Sequence, residues 1–394
     1  MDKISVSNSA TISPEAFFKR LVSTNHAVAV YKLPKDDFVY WIADDQPLQI
    51  DISENIETIK GFLFTSFDKN RAILIKDSIF ACQNKVNEDV IVEKGSFIVD
   101  TKGIEINFHE TSIVNQNFRT IHQDEYEKWV KSSIVEINKE SFEKVVLSRT
   151  KIVQKKKHID PLRIFETLCK ENANAFVSLV SIPNHGTWVG ASPEILSSVD
   201  SNQIFKTVSL AGTQKADPLM TELMAKWGQK EIEEQALVSR YIINCLKKIR
   251  VREFNEIGPK TFRSGNLFHL KTEYVIDLNE INFENFLSVM VGLLHPTSAI
   301  CGMPSEIAKN WIQTTENFDR SFFTGFLGPL HMTRNSIKGV ETHLYVNIRT
   351  MQLLHDKYIL YAGAGITSES NPTMEFFETE NKMDALLKIL NKLE

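Results

Sequence analysis

Near the C-terminus, two carboxylates and an ammonium recur on one stripe. In SNPTMEFFETENKM (370–383), Glu375, Glu378 and Lys382 fall at i, i+3 and i+7, so a helix puts them on one face. The helix start is legible: Asn371 can cap, Pro372 suits the first helical position, and Glu375 favours the first turn. A solvated face with a Glu378–Lys382 pair at i,i+4 is the plain reading, and such pairs are weak. The alternative is a face turned inwards to hold charged groups.

Other charged residues also sit where local rules disfavour them. In KEIEEQALVSRYIINCLKKI, the apolar stripe Leu237, Val238, Tyr241, Ile242 and Cys245, continued back one turn, lands on Glu234. A carboxylate on a buried face needs a lysine, an arginine or a metal beside it; a helix-end glutamate reaching solvent is the alternative. In FEKVVLSRT, Lys144, Val146 and Ser148 share one strand face. Burial there lowers a lysine pKa towards values where it can act as a base; an edge-strand lysine that blocks aggregation is the alternative. Glu194 follows Pro193 in GASPE, where a strand loses a ladder donor and a carboxyl can project into a cleft or end at the surface. Arg349, in LYVNIRTM, is read as a charge within an apolar strand that needs an anionic partner. His269, in NLFHLKT, is read as a hydrogen-bonded strand histidine.

These acids, one lysine and one arginine fit a polyanionic substrate held by a hard cation. Mg²⁺ binds in that way, through a few carboxylates plus substrate oxygens. YAGAGITSES departs from a dinucleotide loop, because Ser368 stands where the third glycine belongs and about 30 residues remain, too few for a nucleotide-binding half. Its glycines instead let a backbone approach a ligand or another strand.

The elements that must carry these residues mix strands and helices without a strict β-α-β rhythm. Short strand-like runs occupy the first 115 residues: AVAVYKL, FVYWIA, GFLFTSF, RAILI and SFIVD. A helix is expected from 124, a strand over 142–153, and a hairpin over 175–199 turning at 183–186. A strand over 203–213, a long helix over about 217–249, and strands near 267–278 and 342–365 follow. Further helices are expected at about 281–293, 304–313 and 373–393. The pattern predicts an α+β (mixed α/β) fold, built as a single large layered domain over 1–394, with 1–115 a divergent flank of the same sheet system.

The totals exclude several classes. The chain has 394 residues, a net charge of −5 and 42% hydrophobic residues, so nucleic acid is not an expected partner. The basic run 155–158 reads as a solvated loop. Four scattered cysteines lack zinc or C-x-x-C spacing, which fits free thiols in a reducing, cytoplasmic setting. The N-terminus has no apolar signal region, and no apolar run approaches the ~18 residues of a membrane span.

With these residues in view, the chain resembles the chorismate-utilising enzymes, and among them the isochorismate synthases. The matching strings are KVVLSR (144–149), GASPE (190–194), LAGT (210–213), LLHPTSAICGMP (293–304), AGAGI (362–366) and EFFETENKM (375–383). They are collinear and cover about 120–394. The resemblance implies two packed, mainly antiparallel sheets with helices outside. It implies Lys144 as general base, Glu194 as general acid, and Glu234, Glu378 and Glu375 as ligands of Mg²⁺, Glu375 directly or through water. Lys382 would contact a substrate carboxylate. Arg349 and the amides around Gly363 and Gly365 would hold the enolpyruvyl carboxylate, and Thr213 and His269 would line the site. Two positions depart from the family pattern: Phe323 stands where a tyrosine is common, and Gln235 replaces the usual histidine.

The implied reaction is chorismate to isochorismate, with chorismate the small-molecule partner and no obligate glutaminase subunit. Such a product feeds menaquinone or siderophore biosynthesis. By the same resemblance, ammonia-using relatives carry glutamine at the position of Lys144, and aminodeoxychorismate synthases a nucleophilic lysine at that of Ala211. Ala299 leans against a salicylate synthase, which goes on to eliminate pyruvate. A non-catalytic ligand-binding relative and an oxidoreductase using AGAGI are the readings from other classes.

Overall fold

The computed structural model describes residues 11–53, 55–95, 108–111, 118–216, 219–264, 267–334 and 337–394. SFIVD (96–100) lies outside them. Two large sheets, one of eleven strands and one of ten, are layered on each other. Their strand pairs run antiparallel. The fold is therefore α+β, with strands that alternate faces so that one side of each sheet meets the other.

Aromatic side chains fill the space between the layers. Tyr31 of strand Ala27–Lys32 stands 5.4 Å from Phe62 of strand Gly61–Thr65, and Phe176 stacks on Tyr345 at 4.3 Å. Each pair joins the eleven-stranded sheet to the ten-stranded one. Such rings bury large apolar areas and add directional contacts between layers. The N-terminal strands serve both sheets: Ala27–Lys32 and Val39–Asp44 extend the first, Gly61–Thr65 and Ala72–Ile75 the second.

Seven α-helices lie among the described residues: α1 (Pro14–Ser23), α2 (Gln123–Asn138), α3 (Pro161–Glu171), α4 (Gln229–Lys248), α5 (Phe286–Leu294), α6 (Ser305–Thr315) and α7 (Pro372–Leu393). Helices α1, α3 and α7 close an apolar cluster on the first sheet through Phe17, Phe165 and Leu386. Helices α4 and α5 do the same on the second through Val238, Ile242 and Met290. None of the helices described is long and apolar enough to cross a membrane.

Most expected elements form near their expected bounds. The expectation of one helix over about 217–249 is corrected: α4 begins only at Gln229, after a short 3-10 turn at Glu222–Met224. Gly228 marks the break, and its N–H donates to the Glu231 carboxylate at 2.9 Å, which caps the helix there. Helix α7 starts as its sequence dictates, since the Asn371 side chain accepts from the Thr373 and Met374 amides, each at 3.1 Å, and Pro372 follows. Helices α1 and α3 and strand Asn255–Ser264 had no counterpart in the sequence reading.

Candidate active site

A cleft of about 750 Å³ of empty space, its open mouth included, lies where strand Lys144–Gln154 meets α4 and α7. Lys144, Glu194, Glu234 and Glu378 line it. So do Thr213, His269, Arg349, Gly363, Gly365 and Lys382. Of the residues to which the resemblance assigns a site role, Glu375 alone is not in the cleft lining.

Lys144 opens strand Lys144–Gln154, and the pleat sends Val146 and Ser148 into the same cleft. The intervening Val145 and Leu147 point the other way, into apolar packing under α2 and α6. Lys144 is only 2% exposed. Burial pushes its pKa down, against the pull of Glu234. The adjacent strand must pass close by, and it does so on glycine. A Cβ on Gly365 would lie 2.9 Å from Cε of Lys144 and 3.6 Å from Oε1 of Glu234. One on Gly363 would lie 2.7 Å from Oγ of Ser148.

Glu194 follows Pro193 between strands Gly186–Ser192 and Ile195–Val199, and is buried. Its backbone is pinned by the Ser192 hydroxyl at 3.3 Å and by the Val346 amide at 3.0 Å. Burial pushes its carboxyl up to about 7, although Lys144 and a hydrogen bond from Thr297 at 3.5 Å work against this. One cleft thus holds a lysine biased towards neutrality and a carboxyl biased towards the acid form.

A cationic side faces them. Lys382 donates to the Gly363 carbonyl at 2.8 Å and to Glu378 at 2.7 Å, so the i,i+4 pair forms, but at the cleft wall rather than on a solvated face. Arg349 is corrected from a strand residue to one in the turn between strands Ile337–Val346 and Thr350–Leu353, with φ of 53°. The left-handed conformation aims its guanidinium at the cleft instead of along the ladder. No carboxylate pairs with it among the described residues; its neighbours are the Lys382 carbonyl at 3.5 Å and His269 Nε2 at 3.4 Å. His269 donates from Nδ1 to the Gly212 carbonyl at 2.9 Å, which leaves Nε2 to accept from Arg349. Burial, with Arg349 beside it, holds this imidazole neutral, with its pKa pushed down to about 3.

The acids from α4 and α7 converge on a residue the sequence reading passed over. The Lys230 ammonium is 2.6 Å from Glu375, 3.7 Å from Glu234 and 4.0 Å from Glu378. Oε1 of Glu234 and Oε2 of Glu375 are buried without a hydrogen bond. Among the described residues no three His, Cys, Asp or Glu groups stand ready-made to hold a metal. The three carboxylates are instead gathered around an ammonium. Carboxylate oxygens, two of them orphaned, around a positive charge are the donor set a hard divalent cation takes, and the residues fit one. Burial pushes Glu234 and Glu375 up, Glu375 to about 7. Burial acts on Glu378 in the same direction, but Lys382 and Lys230 hold it below the usual carboxylate range.

Sequence reasoning also missed the support behind Lys144. Buried Arg320 binds Glu316 through Nε at 2.8 Å and the Val146 carbonyl at 2.7 Å, while Glu316 accepts from the Ser148 amide at 2.6 Å. The i,i+4 spacing of Glu316 and Arg320 was the available signal. The departures are accommodated: Phe323 lines the cleft and stacks on Tyr361 at 5.2 Å. Gln235 turns away and donates to Thr272 at 2.9 Å.

The sequence profile of a family described as chorismate binding enzyme matches residues 65–391. The isochorismate synthase EntC of Escherichia coli is 30% identical over 254 residues, which are 63% of this chain and 62% of that protein, so the match spans less than two thirds of its length. Anthranilate synthase component 1 of Saccharolobus solfataricus is 28% identical over 278 residues, 68% of this chain and 62% of that one. Among solved structures, MenF, the menaquinone-specific isochorismate synthase from Escherichia coli, is similar in fold, with a TM-score of 0.73 at 17% identity over 99% of this chain and 96% of that one.

Proposed function

This chain belongs to the family of chorismate binding enzymes, and from that premise we propose that it is a Mg²⁺-dependent isochorismate synthase. The observation that carries this reading is the pairing of buried Lys144 with buried Glu194 in one cleft, their pKa values pushed in opposite directions. Groups displaced in this way are suited to proton transfer near neutral pH.

Neutral Lys144 takes a proton from water as that water attacks ring carbon 2 of chorismate. Protonated Glu194 gives its proton to the 4-hydroxyl, which leaves as water while the ring double bonds shift. One water enters and one departs, so isochorismate is an isomer of the substrate. Arg349, Lys382 and the amides around Gly363 and Gly365 bind and orient the two substrate carboxylates. Thr213 and neutral His269 contribute hydrogen bonds at the wall. Glu234, Glu378 and Glu375 would hold Mg²⁺, which when bound would supply positive charge against the ring carboxylate.

Lysine at 144 supports water as nucleophile over ammonia, and Ala299 at the cleft wall supports release of isochorismate over pyruvate elimination. Incubation with chorismate and Mg²⁺, with and without EDTA, tests the reading. Isochorismate alone, lost with EDTA, is expected. Salicylate plus pyruvate would make the chain a salicylate synthase, and tight chorismate binding without turnover would make it a non-catalytic relative.

A further inference from the structure

We propose that Lys230 is a resident counter-ion of the acid cluster, seated where the divalent cation binds, and that loading the metal expels it. The inference rests on the reading of Glu234, Glu378 and Glu375 as metal ligands. The lysine reaches all three from one position, within 4.0 Å of each. It makes one short hydrogen bond there, to Glu375 at 2.6 Å, and leaves Oε1 of Glu234 and Oε2 of Glu375 buried and unbonded. Lys144, Lys382 and Arg349 also bear on these acids, yet the two oxygens stay unbonded, and a divalent ion could ligate them directly where one ammonium does not.

The two cations exclude each other. A charge of +1 and one of +2 cannot share a space a few ångströms across at low dielectric. Lys230 is the group best placed to leave, because Lys382 is tied to the Gly363 carbonyl at 2.8 Å. The Lys230 side chain is 24% exposed, whereas that of Glu375 is 1% exposed and fixed in the interior. A lysine stem has four rotatable carbons, so its ammonium can swing to solvent without moving α4. Two consequences follow. The metal-free cleft stays assembled because its acids are never left without a counter-charge. The metal binds more weakly than three acids alone would bind it, because it must displace a partner.

The test uses the full chain without chorismate. Mg²⁺ binding is measured by titration calorimetry on wild type and Lys230→Met, with thermal unfolding in parallel. The variant is expected to bind Mg²⁺ about tenfold tighter or more, and to unfold at a lower temperature without metal but not with it. Equal or weaker affinity in the variant overturns the inference. Should the variant fail to fold, acetylation of Lys230 in the wild type is followed by mass spectrometry. Added Mg²⁺ is expected to raise its reactivity, and an unchanged or lower rate overturns the inference. If wild type binds no Mg²⁺ and turns over in EDTA, the metal reading itself falls; if Mg²⁺ binds and Lys230 does not respond, only the present inference does.

Discussion

Gly365 gives Lys144 the space its ammonium occupies: a Cβ at 365 would lie 2.9 Å from Cε and 3.3 Å from Nζ of the lysine. The strand bearing Gly363 and Gly365 runs antiparallel to the one bearing Lys144, with Gly365 opposite Val146. Side chains on this face would fill the cleft, so the wall nearest the base is bare backbone.

Gly365→Ala should therefore separate folding from turnover. The clash falls on the end of a flexible side chain, so the strand pair holds and the ammonium moves. Thermal unfolding is expected within a few degrees of wild type, while kcat falls by ~10²-fold, the usual cost of misplacing a catalytic group by about 1 Å. A large loss of stability with normal turnover in the folded fraction would refute the close approach.

Glu194 should weaken the protein at the pH where it works. Its ordinary value is 4.5 and its folded value about 7, so the folded state holds a proton that the unfolded chain releases. The raised pKa makes its contribution to stability full below pH 4.5 and lost as pH rises through about 7. At 1.36 kcal/mol per pH unit the difference is about 3 kcal/mol. Glu194→Gln, which keeps the shape without the charge, should be more stable than wild type above pH 7 by up to that amount and equal to it near pH 4. Urea denaturation at both pH values measures this.

If Glu194 is the proposed acid, the same carboxyl should set the alkaline limb of activity. Glu194 donates only when protonated, so kcat/KM should fall as pH rises through about 7. Thr297 donates a hydrogen bond to Glu194, which favours the ionised form. Thr297→Val should move the limb to higher pH and leave the acid limb in place. A pH profile of isochorismate formation reads both limbs, and an unmoved alkaline limb would assign it to another group.

How much of this was legible in the sequence follows from what sequence patterns encode. Periodicity put Glu234 on the apolar face of α4 and Lys144 on one face with Val146 and Ser148, and both were found there. Burial of a charge breaks a local rule, and a broken rule is visible in one dimension. Arg349 was misplaced because a positive φ in a non-glycine residue leaves no mark on composition. Lys230 was missed because its partners Glu375 and Glu378 lie about 145 residues away, and only Glu234 at i,i+4 is local. The start of α4 at Gln229 depended on Gly228 and its cap from Glu231, a signal weaker than the helical pattern preceding it.

The clearest demand on the fold is made by Arg320. Its side chain and that of Glu316 are 3% and 2% exposed, so both charges are out of water. The guanidinium also binds the carbonyls of Val146 at 2.7 Å and Ile300 at 2.9 Å, and lies 4.5 Å over the ring of Phe67. Glu316 in turn takes the Ser148 amide. The pair thus ties the backbone of the base-bearing strand to the segment carrying Thr297. Removing one partner leaves the other buried and uncompensated, so Arg320→Met should cost ~3–5 kcal/mol. Removing both charges, as Glu316→Gln with Arg320→Met, should recover much of that loss, because no bare charge remains. The midpoint of urea unfolding is expected to fall in the single variant with its slope unchanged. If the double variant is as unstable as the single one, the carbonyl contacts rather than the charge pair hold this strand.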